Sequence, residues 1–321
     1  MKNIDVHSHY LPESVIKELN GTVSEGKSEG LYRIEVLKKV IAPMPEGFFR
    51  HASRIREMNG LGIDHQVLSP THHLFSYDLP SDQALRVCVL QNNGISEVCR
   101  NDPDHFSGNA TLPLQDPEMA VGEIRRVSSD LEMSGVEFGT NIAGRNLDDE
   151  SLYPVYEELQ AQGMPIFVHP NDFMGGERLS RYYMGIVVGT IAETTVAVTS
   201  LIMGGVLKKF PKLRFIFCHG GGAIPYQISR IKQGMEVREE NAGSMSFDRE
   251  LLSHVLFDTV LFDGKAMNLL LDSWGRENVV FGTDYPFNMG NWESHKLLAS
   301  SVSGNIDMIL KGNAERLYGR L

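Results

Sequence analysis

The sequence predicts an α/β protein folded as a closed (β/α)8 TIM barrel. Short apolar runs rich in β-branched or aromatic residues occur eight times, each followed by a turn or polar segment. The residues that carry chemistry recur at the carboxyl ends of these runs. A length of 321 residues suits one large barrel better than two small domains, so 1–321 reads as a single domain. A doubly wound sheet shows the same alternation but usually places a Gly-rich phosphate loop after its first strand. Here that strand leads into His7-Ser8-His9.

The first run is Ile4 to Val6. Residues 21–50 fit no strand-helix unit and read as an insertion after it, with a candidate hairpin through Leu31 to Val40 that carries Arg33. The second and third runs are His65 to Leu68 and Phe106 to Leu112. A helix over 116–132 follows, with Ala120, Ile124, Val127 and Leu131 on one stripe. The fourth run, Val136 to Phe138, precedes a helix over 151–162, where Leu152, Val155, Tyr156 and Leu159 share a face and Gly163 is the stop. After the fifth run, Pro165 to Val168, the apolar piece 186–207 exceeds what a loop needs and reads as a buried helix or one at a subunit contact. The remaining runs are Leu213 to Cys218, Val255 to Phe257 and Val279 to Phe281, and the tail around Asn313 to Tyr318 reads as the last barrel helix.

With 42% apolar and 22% charged residues, the composition is that of a globular chain. The balance of 30 Lys+Arg against 41 Asp+Glu gives −11, which opposes nucleic acid or an anionic membrane as the main partner. Cys88, Cys99 and Cys218 form no CxxC, and the N-terminus shows no basic and apolar leader, so a reduced, cytoplasmic protein is expected.

His7 and His9 end the first strand, His169 the fifth, His219 the sixth and Asp284 the eighth. In a barrel these ends share one mouth. His-x-His at the two-residue period of a strand puts both imidazoles on one side, and three His with one Asp suit a single divalent ion, zinc above Mn, Co or Fe. His219 is better suited to acid/base work, because imidazole titrates near neutrality and Gly220-Gly221-Gly222 let the backbone come close. A second metal would want a bridging group at the fourth strand, where only Glu137 stands, so one ion is expected. His72 and His73 follow the second strand and could line the mouth, although a loop histidine is more often a surface residue. Arg33, Arg50, Arg54, Arg56, Arg230 and Arg238 offer carboxylate recognition or ordinary surface pairs, and Tyr285 and Phe287 either wall the pocket or pack at the rim.

The ordered set Ile4-Asp5-Val6-His7-Ser8-His9, Phe167-Val168-His169-Pro170, His219-Gly220-Gly221-Gly222 and Gly282-Thr283-Asp284-Tyr285-Pro286-Phe287 resembles the amidohydrolase-related, metal-dependent decarboxylases. The likeness covers nearly the whole chain and extends to Ala192-Glu193-Thr194-Thr195, Ile202-Met203-Gly204-Gly205-Val206 and Lys209-Phe210-Pro211-Lys212-Leu213. It implies one zinc held by His7, His9, His169 and Asp284, and His219 as the acid/base. It also implies a homodimer in which Arg230 reaches a substrate carboxylate across the interface, and a second arginine from the insertion, Arg33 or its rival Arg50. A pocket tryptophan of the family falls on Ile186 here, which alters the substrate shell. The expected activity is non-oxidative decarboxylation of a small unsaturated or aromatic carboxylate with a neighbouring amino, hydroxy or aldehyde function. The alternatives are a metal-dependent hydrolase or hydratase of a related acid, and a metal-binding protein without turnover.

Overall fold

The computed structural model describes residues 2–238 and 253–319. The chain enters through β1 (Ile4–Tyr10) and makes an excursion through β2 (Thr22–Glu25), β3 (Leu31–Val36) and β4 (Lys39–Pro45). It continues with β5 (His65–Pro70), β6 (Phe106–Thr111) and β7 (Gly135–Gly139). A short hairpin of β8 (Asn141–Ile142) and β9 (Arg145–Asn146) precedes β10 (Ile166–His169), β11 (Phe215–Phe217), β12 (Val255–Asp258) and β13 (Val279–Val280).

Eight of these strands pair in parallel in the order β1-β5-β6-β7-β10-β11-β12-β13. The chain segment after β13 returns to β1: Val6 N–H donates to Phe281 O at 3.0 Å, and His9 N–H to Tyr285 O at 2.7 Å. Each apolar run of the sequence is a barrel strand, but their lengths differ from the pattern. β1 continues through His7 and His9 to Tyr10, because the backbone beyond β13 keeps pairing with it. β13 is only two residues long, since the Phe281 N–H is taken by Ile309 O.

Parity along the strands sorts the core. Phe167, Ile216, Leu256 and Val280 join Ile4, Val6 and Val67 in one inner cluster, floored by Ala314 from the last helix. Their neighbours Ile166, Val168, Phe215, Phe217, Val255 and Phe257 pack in the larger cluster that includes helix residues such as Ile124 and Leu159. Two residues further along the inward parity come His169 on β10 and Asp258 on β12. On β1, Ile4 and Val6 differ in parity from His7 and His9. The register shift between Asp5 and Ser8 supplies the change of phase that lets all four face inward.

The helix Pro117–Ser129 is capped by Asp116, whose side chain accepts from Met119 N–H, and Tyr153–Gln162 ends at left-handed Gly163. In the insertion, the hairpin through Leu31 to Val40 is the β3-β4 pair, and β2 adds a third antiparallel strand. The apolar piece near 186–207 forms one turn, Gly185–Gly189, running into the helix Thr190–Met203. The stretch Gly185–Met203 is long and apolar enough to cross a membrane by length and composition. Its buried Glu193 nevertheless ties it to the barrel, accepting from Thr140 Oγ1, Asn141 Nδ2 and Met174 N–H.

Candidate active site

Strand ends and the loops after them bring the predicted ligands together. One donor atom each from His7, His9, His169 and Asp284 lies within 4.8 Å of the others, and all four residues are buried. His7 Nε2 stands 3.2 Å from His9 Nε2 and 3.1 Å from Asp284 Oδ1, which is also 3.2 Å from His9 Nε2. His169 Nε2 and Asp284 Oδ1 are buried without a hydrogen-bond partner. Buried polar atoms aimed at one point with no partner in the protein are what a cation satisfies, so the residues present fit a single divalent ion.

Asp258 orients this set. Its Oδ2 lies 2.5 Å from His7 Nδ1, and its Oδ1 accepts from Gly220 N–H at 2.9 Å and Val260 N–H at 3.1 Å. The carboxylate thus turns His7 Nε2 toward the ligand cluster and pins the loop that carries His219. Burial alone would depress His7, but the charges of Asp284 and Asp258 outweigh it and raise its pKa to about 10. Burial likewise opposes the Asp284 charge, yet His7, His219 and His9 hold its carboxyl well below the usual range. The cluster therefore holds its negative charge only against positive charge, which either protons or a bound cation supply.

His219 sits above the ligands, its Nε2 3.4 Å from Asp284 Oδ2 and its Nδ1 without a partner. Burial works against its charge, but Asp284 prevails and raises its pKa above the ordinary value. The four residues from His219 to Gly222 all have left-handed φ, between 56° and 76°. Glycine accommodates that backbone freely, and a Cβ on Gly221 would meet the Phe257 ring at 2.6 Å.

A cavity of about 530 Å³ opens over the cluster. Its walls are mainly apolar, among them Met44, Ile186, Val260, Leu261 and Phe287, and it reaches Asp284, His169 and His219. The Phe287 ring lies 5.0 Å from that of His9, so Phe287 is a pocket wall. Tyr285 instead turns into the core, where its hydroxyl meets Glu57 and its ring carries the Arg54 guanidinium at 4.6 Å.

The arginines separate from the site. Arg33 is exposed and pairs with Glu35 at 2.8 Å. Arg50 pairs with Glu13 at 3.2 Å and with Glu46. Neither lines the cavity, because Arg33 is exposed beside Glu35 and Arg50 is held by Glu13 and Glu46. Arg54, one of the candidate surface arginines, is fully buried, donating from Nε to Gln66 Oε1 and from Nη1 to His9 O, both at 2.7 Å. Arg230 lies exposed on the helix Ile224–Val237 and does not line the cavity of its own chain.

Of the two readings open for His72 and His73, a surface position and a place in the mouth, the structure gives the second: both line the cavity, because the turn His72–Leu74 folds them back over the ligands. Glu137 faces inward with its nearest oxygen 3.9 Å from His9 Nδ1, outside the convergent set. Burial pushes its carboxyl well above the usual carboxylate range.

A closed barrel with three imidazoles and a carboxylate gathered at one mouth defines a metal-dependent barrel protein. A profile of the amidohydrolase family matches residues 4–320, and the chain belongs to that family. It is 33% identical over 330 aligned positions to 2-amino-3-carboxymuconate-6-semialdehyde decarboxylase of Dictyostelium discoideum, covering 98% of this chain and 91% of the relative. Among solved structures, apo IDCase of Metarhizium anisopliae superposes with a TM-score of 0.85 at 25% identity, covering 99% of this chain and 97% of that one. The 5-carboxyvanillate decarboxylase of Novosphingobium aromaticivorans, solved with manganese and 4-hydroxy-3-methoxy-5-nitrobenzoic acid, superposes with a TM-score of 0.83 at 21% identity, covering 100% and 96% of the two chains.

Proposed function

We propose that this chain is a metal-dependent, non-oxidative decarboxylase of a small unsaturated or aromatic carboxylate bearing a neighbouring hydroxy, amino or aldehyde function. One observation carries the reading: His7, His9, His169 and Asp284 converge beneath a mainly apolar cavity with His219 set beside Asp284. Those four residues would hold the ion, for which zinc is the first choice and manganese, cobalt or iron(II) are alternatives. When bound, a divalent ion supplies a Lewis acid that draws electron density from the oxygen functions of the substrate.

The chain's own groups supply the rest. Phe287, Ile186 and Leu261 exclude water from a conjugated ring or diene, which lowers the local dielectric around the charge that develops. The bond between the substrate carbon and its carboxylate breaks, the electron pair stays on that carbon and carbon dioxide leaves. His219, whose charged form Asp284 favours, delivers a proton from Nε2 to the same carbon and is recharged from solvent. No oxidant or reductant is consumed.

Within this reading the active unit is a homodimer. Exposed Tyr182, Val187 and Val188 lead into the apolar helix Thr190–Met203, and exposed Tyr226 shares a helix with Arg230, which supports a subunit contact there. Arg230 of the partner subunit would bring the positive charge that Arg33 and Arg50 do not bring to this mouth. All three cysteines are free, which supports a cytoplasmic setting.

The test is carbon dioxide release from a panel of amino-, hydroxy- and semialdehyde-bearing unsaturated or aromatic acids, run in deuterium oxide with metal-quantified protein and an EDTA-treated control. The reading expects metal-dependent release and one deuterium at the carbon that lost its carboxylate. Substrate consumed without carbon dioxide would replace it with the hydrolase or hydratase alternative.

A further inference from the structure

Among the described residues, the cavity has no arginine or lysine from its own chain, yet it holds polar side chains that the reaction above does not use, and two of them are imidazoles beside the ligand cluster. His72 and His73 lie on the turn His72–Leu74, directly after β5. The His72 ring stacks on that of His169 at 4.5 Å and 13°, and His73 follows at 4.1 Å from His72 and 5.8 Å from Phe287. The rings thus form a ladder from a metal-site ligand toward the wall made by Phe287. Thr71 Oγ1 sits 3.0 Å from His73 Nδ1 and fixes the ring.

The other nitrogens are available to a ligand. His72 Nδ1 is buried without a partner, and an N–H left there would be an orphaned donor, so its proton belongs on Nε2, the nitrogen left to meet the cavity. With Nδ1 engaged by Thr71, His73 likewise presents Nε2. Neutral imidazoles offer hydrogen bonds but no charge. A second substrate carboxylate docked against them would lose its hydration without gaining a counter-charge, whereas a hydroxyl, amino or carbonyl group is matched without that penalty.

We propose that His72 and His73 are specificity-determining residues whose Nε2 atoms bind a neutral hydrogen-bonding substituent on the substrate's conjugated frame, in the place an in-chain arginine would take. The inference rests on the reading that this site takes a small conjugated carboxylate. It selects acids with a hydroxyl, amino or carbonyl group at that position over those with hydrogen or alkyl. A site built to hydrogen-bond a substituent rejects the analogue lacking it, because its own polar groups are then left unpaired.

The experiment is calorimetric binding to the metal-loaded full chain, using 2-hydroxybenzoate and its 2,3-, 2,4-, 2,5- and 2,6-dihydroxy counterparts as probes. At least one dihydroxy acid should bind about tenfold more tightly than 2-hydroxybenzoate, the size of effect one satisfied hydrogen bond gives. His72→Phe and His73→Phe, which keep the ring stack, should each reduce that preference to about threefold or less, and His73→Gln should restore part of it. No preference in the wild-type protein, a preference that survives both Phe variants, or equal weakening of every acid would overturn the proposal. Binding needs no turnover, so the two readings fail separately. A His73-dependent preference without carbon dioxide removes the decarboxylase assignment alone, and carbon dioxide release with an insensitive preference removes this inference alone.

Discussion

Asp258 accepts from two backbone N–H groups through Oδ1 and holds His7 through Oδ2, so one carboxylate aligns a ligand and the loop of the acid/base. Asp258→Asn keeps the shape but loses the charge behind His7. Its affinity for zinc should fall about 10- to 100-fold in competition with a chelator, with the thermal transition still cooperative; unchanged affinity would deny Asp258 that role. The sequence contains the signal for this residue, since Asp258 closes the seventh strand in Val255-Leu256-Phe257-Asp258 just as His169 closes the fifth. His169 is legible by that rule because strand parity dictates its direction, and His7, His9, His219 and Asp284 because each stands at or just beyond the carboxyl end of a barrel strand. His72, His73, Arg33 and Arg50 are not, because loop and insertion geometry sets where they point. Arg54 shows the same limit from the other side: nothing in His51-Ala52-Ser53-Arg54 announces that its guanidinium is buried against His9 O and the Tyr285 ring.

The turn from His219 to Gly222 is the element on which the chemistry depends most directly. Four successive left-handed residues aim the imidazole at Asp284, and Gly221 has the Phe257 ring where a methyl group would go. Gly221→Ala should cost about 2 kcal/mol or more, from overpacking and backbone strain together, and lower the urea midpoint. Gly122→Ala, on the outer helix Pro117–Ser129 with open space around it, should be neutral or stabilise by up to about 1 kcal/mol. Equal effects at both positions would contradict the packing argument. The barrel strands are legible as elements because they are buried runs of Val, Ile and Phe. β2 is not, because Thr22–Glu25 is polar and largely exposed and its only strand partner among the described residues is β3 of the insertion. The β3-β4 hairpin is legible although Leu37 and Lys38, both left-handed, stand where a glycine or asparagine usually marks such a turn.

Across the whole molecule, buried histidines link stability to acidity. Burial lowers His65 to about 4, its ring lying between Asp104 O and Ser107 Oγ. The unfolded chain therefore binds the proton first, and this contribution is complete above the ordinary histidine pKa near 6.5 and is lost as pH falls toward about 4. The loss approaches about 3 kcal/mol for this residue, read as a falling urea midpoint across that window, and His65→Gln should flatten the fall. At this scale the sequence reads well, since alternating strands and helices with ligands at matching ends leave few arrangements besides a barrel. The separation of outer from inner apolar clusters and the phase change in β1 emerge only once the barrel closes. The central claim is that the gathered His and Asp residues hold an ion while His219 moves the proton. It is tested most directly by comparing carbon dioxide release from wild-type protein and His219→Asn, each with its bound metal quantified. The account predicts equal metal content and turnover lower by about 10²- to 10⁴-fold in the variant; full turnover with metal bound would contradict it.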